Sequence, residues 1–180
     1  MRFKRGIAAL SAIALALVSL SAAADNVYQS PDAYLQEAFS GPPPAPKVLW
    51  LRGELRTQVD NILNHPYRGM RIRYWQDATR TVWILDEIGK DKPITTGITV
   101  ADGKIADVTV LVFRESRGWE VRHDFFTRQF AEAMPGKHAG LDRHIDSITG
   151  ATLSVRALQK QARLALLLDE HVRSIQEPSS

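Results

Sequence analysis

Ile94-Thr95-Thr96-Gly97-Ile98-Thr99-Val100-Ala101-Asp102-Gly103-Lys104-Ile105-Ala106-Asp107-Val108-Thr109-Val110-Leu111-Val112-Phe113 reads as two β-branched runs joined at Ala101-Asp102-Gly103. β-Branched residues fit a pleated surface, and Asp-Gly accepts the positive φ of a two-residue hairpin turn. The stretch therefore predicts strands over 94–100 and 105–113, with Val108, Val110 and Val112 in register on one face. Upstream, Arg71–Gln76 alternates with Ile72 and Tyr74 on one side. Thr81–Leu85 places Val82 and Ile84 opposite Trp83, and Asp77-Ala78-Thr79 forms the turn between the two runs. Gly89–Pro93 links this hairpin to the next. Hairpins in succession imply an antiparallel sheet.

Helical spacing flanks the strands. Over 48–64, Leu51, Leu55, Val59 and Ile62–Leu63 recur every three or four residues, and His65-Pro66 stops the run. Phe125–Met134 predicts a short helix ended by Pro135-Gly136. Residues 152–172 carry an apolar stripe of Val155, Leu158, Ala162, Ala165 and Leu166. The expected order is helix, four strands, short helix, then helix: an α+β fold with an antiparallel sheet of hairpins and flanking helices, in a single domain.

The ends read differently. Arg2, Lys4 and Arg5, the apolar run Ile7–Leu20 and Ala22-Ala23-Ala24 make residues 1–24 a secretory signal with Asp25 as the mature start. The alternative is an uncleaved N-terminal anchor, since Ile7 to Ala24 nears the length of a bilayer span. The expected product is periplasmic or otherwise exported, and soluble after cleavage. Residues 25–46 form an N-terminal segment and a proline-rich spacer, Gly41-Pro42-Pro43-Pro44-Ala45-Pro46, which reads equally as a stiff loop packed on the domain. Residues 47–175 form the main domain and 176–180 a frayed tail.

Composition excludes several functions. The formal charge of +3 comes from Arg2, Lys4 and Arg5, so residues 25–180 balance 20 bases with 20 acids. That removes the case for a nucleic-acid partner. Without cysteine there are no disulfides, cysteine-held clusters or CxxCH haem attachment.

The stretch Asp146-Ser147-Ile148-Thr149-Gly150-Ala151-Thr152 precedes the last helix. Gly150 and Ala151 let backbone approach a bulky group, two threonines flank them, and a helix N-terminus favours an anion. The ordinary alternative is capping, the usual work of Ser and Thr at this place. The stretch is no P-loop, because it lacks the lysine and the longer glycine spacing.

Asp146-Ser147-Ile148-Thr149-Gly150-Ala151-Thr152 resembles the flavinylation motif of the FMN-binding domain family, Asp-x-x-Ser/Thr-Gly-Ala-Ser/Thr. That family includes subunits of sodium-translocating NADH:quinone reductase and of the Rnf complex, and soluble exported flavoproteins. The likeness extends to Gly97–Val100, Asp102–Ile105 and Val108, and to Glu115-Ser116-Arg117-Gly118, where Arg117 replaces the proline of the family's turn. It spans roughly residues 70–170. The resemblance implies FMN joined through its phosphate to Thr152. A flavin transferase would make that bond from FAD, with magnesium needed only during attachment. Thr149, Gly150, Ala151, Asp146, Ser147, Glu115, Ser116, Arg117 and Gly118 are the other implied cofactor-binding residues. Asp146 is expected to hold the magnesium or orient the hydroxyl, its alternative being a local turn contact. Arg117 is expected to assist the phosphate, its alternative being an ion pair with Glu115 or Glu120.

Trp75, Trp83, Trp119 and Tyr74 are candidates to stack on the flavin ring, and equally ordinary as sheet packing. His138 and His144 read as surface residues, and His123 as structural or a minor flavin contact. The implied role is electron transfer outside the cytoplasmic membrane, with a redox partner protein such as a membrane reductase or cytochrome. The alternative is an exported flavin-dependent reductase of a small acceptor.

Overall fold

The computed structural model describes residues 26–176. The signal or anchor expected over 1–24 lies outside them, as does most of the expected tail. Six strands form one antiparallel sheet: β1 (Asn26–Val27), β2 (Lys47–Trp50), β3 (Arg71–Gln76), β4 (Arg80–Ile88), β5 (Pro93–Ala101) and β6 (Lys104–Phe113), in the order β1-β6-β5-β4-β3-β2. Four α-helices accompany it: α1 (Pro31–Ala38), α2 (Gly53–Leu63), α3 (Asp124–Thr127) and α4 (Thr152–Ser174). The α+β class and the hairpins stand as read.

The hairpin turn between β5 and β6 holds Asp102 at φ 51° and Gly103 at φ 72°, the two positive values of a type I′ turn. Tyr74 pairs with Trp83 across β3 and β4, and their rings stack at 4.8 Å. Trp83 is wholly buried, which removes its indole from water, an effect worth roughly 2–3 kcal/mol. Its Nε1 donates to Thr81 Oγ1 (2.9 Å), and Thr81 Oγ1 donates to buried Asp169 of α4 (2.6 Å).

The sheet has two covered faces. On one, α2 and α4 enclose the main core, with Val59, Ile62, Ile98, Val108, Phe113, Leu158 and Leu168 among its members. On the other, Tyr34 and Leu35 of α1 pack on Val82, Leu111 and Val112. The segment before the prolines is therefore packed on the sheet. Gly97 makes this possible: a Cβ there would lie 2.4 Å from the Tyr34 ring. Tyr34 Oη donates to Asp107 Oδ2 at 3.0 Å and meets Thr99 Oγ1 at the same distance.

Three local readings are corrected. Residues 48–50 are strand, not helix, because Val48, Leu49 and Trp50 alternate exposed, buried, exposed against β3. The helix expected over 125–134 is only α3 followed by a 3-10 turn at Arg128–Phe130. The chain then bends away so that Ile105 and Glu132–Ala133 can exchange backbone hydrogen bonds. Val112 does not share a face with Val108 and Val110. Thr95 pairs with Val112 but Thr96 with Val110, so Leu111 is an extra residue, a β-bulge. The bulge turns Leu111 and Val112 toward α1 and returns Phe113 to the main core.

Candidate functional site

Two segments far apart in sequence meet at the N-terminus of α4. The strand β6 runs out through Arg114 into Glu115-Ser116-Arg117-Gly118. The bulge at Leu111 puts Phe113, and hence Glu115, on the α4 side of the sheet. The motif loop arrives from the opposite direction, pinned by buried Ile145 and half-buried Ile148. Ala151 N donates to Ile148 O (2.9 Å) across a tight turn, and Gly150 takes φ 84° there. A side chain at Gly150 would meet open space, so the backbone conformation alone requires glycine.

Gly118 locks the two segments together. Its φ is 85°, and a Cβ there would lie 2.6 Å from Ser154 Oγ and 3.3 Å from the Ala151 Cβ. Small residues on both sides thus allow the two backbones to touch.

The end of α4 is bare. Its N-cap is Ala151, with no side-chain capping bond, and the first turn contains no acid. Val155 N is bonded to Ala151 O, whereas Thr152, Leu153 and Ser154 lie in the turn whose N–H groups have no helical acceptor. The capping alternative for Thr149 and Thr152 is therefore not realised. Thr152 is instead the first residue of the helix, with its side chain exposed.

A cavity of about 560 Å³ opens over this end, between Lys90, Glu115, Ser116 and Arg117 on one side and Gly150–Ser154 on the other. Such a volume falls within the range of small-molecule sites. Glu115 is the organiser. Its Oε1 accepts from Lys90 N (2.5 Å), Asp91 N (2.7 Å) and Lys92 N (2.9 Å), tying the β4–β5 turn to the site. Burial works against the ionised carboxyl. The backbone donors, with the Lys90 charge, outweigh it and hold Glu115 below the usual carboxylate range. An ion pair between Glu115 and Arg117 is not formed. Lys90 and Arg117 stand at the cavity wall, where both cations and the helix end favour an anion.

The remaining candidates divide. Asp146, Ser147 and Thr149 are exposed and outside the cavity wall. Asp146 N accepts no helix duty but donates to Gln129 Oε1 (2.8 Å), and its carboxylate lies 3.6 Å from His144 Nε2. Tyr74 and Trp83 belong to the core, so neither can stack on a ligand, and Trp75 packs on the α1 face. Trp119, next to Gly118, is 44% exposed, edge-on to His123 and beneath Arg122. Lys90, Leu153 and Ser154 line the cavity without having been singled out in the sequence. Leu153 and Ser154 could have been read from the helix start. Lys90 could not, since Glu115 recruits its turn from 25 residues away. Among the described residues no group of three His, Asp or Glu side chains could hold a metal ion, and no helix is long and apolar enough to cross a membrane.

Residues 89–167 match the family model of the FMN-binding domain, a span that begins at the Glu115-held turn and takes in the motif and most of α4. No curated protein and no solved structure is detectably similar to the chain.

Proposed function

We propose, for a chain whose residues 89–167 belong to the FMN-binding domain family, that the flavin is held covalently, through an ester between its phosphate and Thr152 Oγ. The observation that carries this reading is the exposed Thr152 hydroxyl at an uncapped helix end, in a cavity walled by Lys90 and Arg117. The residues present fit such a group. The free N–H groups of the first turn and the two cations would offset the negative charge that a phosphodiester keeps. Gly150 and Gly118 hold the loops clear of it.

Attachment would exchange the phosphoanhydride of FAD for the threonyl ester, releasing AMP and the hydroxyl proton. A flavin transferase and magnesium would serve only that exchange. Bound FMN supplies one- and two-electron transfer. The protein's residues fix its phosphate, shape its exposure and set the charge around it. The cavity is open and its polar side chains are spent on structure or on charge, which suits a carrier passing electrons to a partner protein outside the cytoplasmic membrane. The pattern of residues 1–24 supports that location.

Intact mass spectrometry tests the linkage. Co-expression with a flavin transferase should add one FMN less one water to the chain. Thr152→Ala should abolish the addition, and Thr149→Ala should leave it. Persistence of the label in Thr152→Ala would overturn the assignment.

A further inference from the structure

The face of the sheet that α1 covers is only half covered. Toward the β2 edge, Val48 pairs with Arg73 and Trp50 with Arg71, so these four side chains project together on that face. Val48 is 47% and Trp50 46% exposed, and Met70 beside them is 72% exposed. Arg52 and Arg71 lie over the Trp50 ring, at 5.3 and 5.8 Å from its centre. A groove of about 770 Å³ continues inward from Val48 past Arg71 and Arg73 to Trp75 and Ile84.

The backbone is open as well. Leu51 N donates to Met70 O (3.0 Å), and residues that face a neighbour strand alternate. The N–H and C=O groups of Val48 and Trp50 therefore point away from β3, to the outer edge. Among the described residues no backbone group pairs with them. The charge is one-sided: over residues 47–54 and 68–73, Lys47, Arg52, Arg68, Arg71 and Arg73 face a single carboxylate, Glu54.

We propose that this edge is a docking site for an acidic, extended segment of a partner protein, added as a strand along β2 with one apolar side chain in the groove. Edge donors and acceptors would supply the main-chain bonds, and the arginines the charge selection. A second copy of this chain would bring like-charged patches together. A lipid surface would leave the edge N–H and C=O groups unpaired. The site lies apart from the α4 end and does not depend on the flavin reading.

The test uses the purified chain and three probes. These are a twelve-residue peptide with Thr at alternate positions and, between them, Glu throughout except for one central Phe, so that Glu and Phe share a face, the same peptide with Lys for Glu, and vesicles of phosphatidylglycerol and phosphatidylcholine. The acidic peptide should slow hydrogen exchange at the Val48 and Trp50 amides and shift Trp fluorescence. Arg71→Glu with Arg73→Glu should weaken binding at least tenfold. Trp50→Ala, an exposed change that should leave the fold intact, should weaken it severalfold. Equal binding of the lysine peptide, binding of vesicles without the acidic peptide, or binding that leaves the Val48 and Trp50 amides unprotected would each overturn the proposal.

Discussion

Glu115 shows how one side chain can set the geometry of a site without lining it for chemistry. Its carboxylate gathers three consecutive N–H groups from the β4–β5 turn and so fixes where Lys90 stands. Hydrogen bonds to a charged acceptor exceed those to a neutral one, so Glu115→Gln should cost about 1–2 kcal/mol in urea unfolding at pH 7. The pH sign follows from the depressed folded value. The stabilisation is present above the unfolded-state value, about 4.3 for Glu, and is lost as pH falls through the lower folded value. Wild type and Glu115→Gln should therefore differ at pH 7 and converge as pH falls through that depressed value. A difference that does not shrink on acidification would show that the charge is not the cause. Flavin loading should fall in the variant too, because the Lys90 turn is released.

At the scale of elements, α1 is held by an absence. Gly97 leaves room in β5 for the Tyr34 ring, which approaches to where a Cβ would sit. Gly97→Ala should destabilise the chain by about 1–3 kcal/mol, the cost of overpacking. In Gly97→Ala with Tyr34→Ala the two losses should fall short of their sum, because the second change removes the clash created by the first. Thermal unfolding of the four chains completes that cycle, and strict additivity would refute the contact. Elements also show what was legible. The Asp-Gly hairpin, the Tyr74–Trp83 hairpin and α4 were plain because period and turn chemistry agreed. β2 was not, because Val48-Leu49-Trp50-Leu51 satisfies both a strand and the start of a helix until its partner is known. The motif at 146–152 was legible as a helix entrance. Its bare N-cap was not, since only the fold shows that Ala151 rather than a threonine occupies that place.

For the whole molecule, each face of the sheet carries its own core. Removing residues 26–40 would uncover Val82, Leu111 and Val112 while leaving the α2–α4 core intact. The truncated chain should bind a hydrophobic dye and melt at lower temperature, yet keep its far-ultraviolet circular dichroism. Complete unfolding on truncation would mean that the two cores are not separable. Amide exchange should be slowest in β4, β5 and the middle of α4. There Gln161 Nε2 donates to Leu85 O and Ile94 O, both at 2.9 Å, and ties the helix to the two central strands.

The extra residue in β6 has a further meaning when the strand is heard as a rhythm. From Val108 to Val110 the beat is inside, outside, inside; at Leu111 one beat is held, and the exit of the strand is out of phase with that stretch. Had the same residues run on in regular alternation, without the held beat, Phe113 would change sides with Arg114, and Glu115 would arrive on the α1 side, with the sheet between it and the helix end it now serves. One aliphatic residue thus keeps the site in time by syncopation.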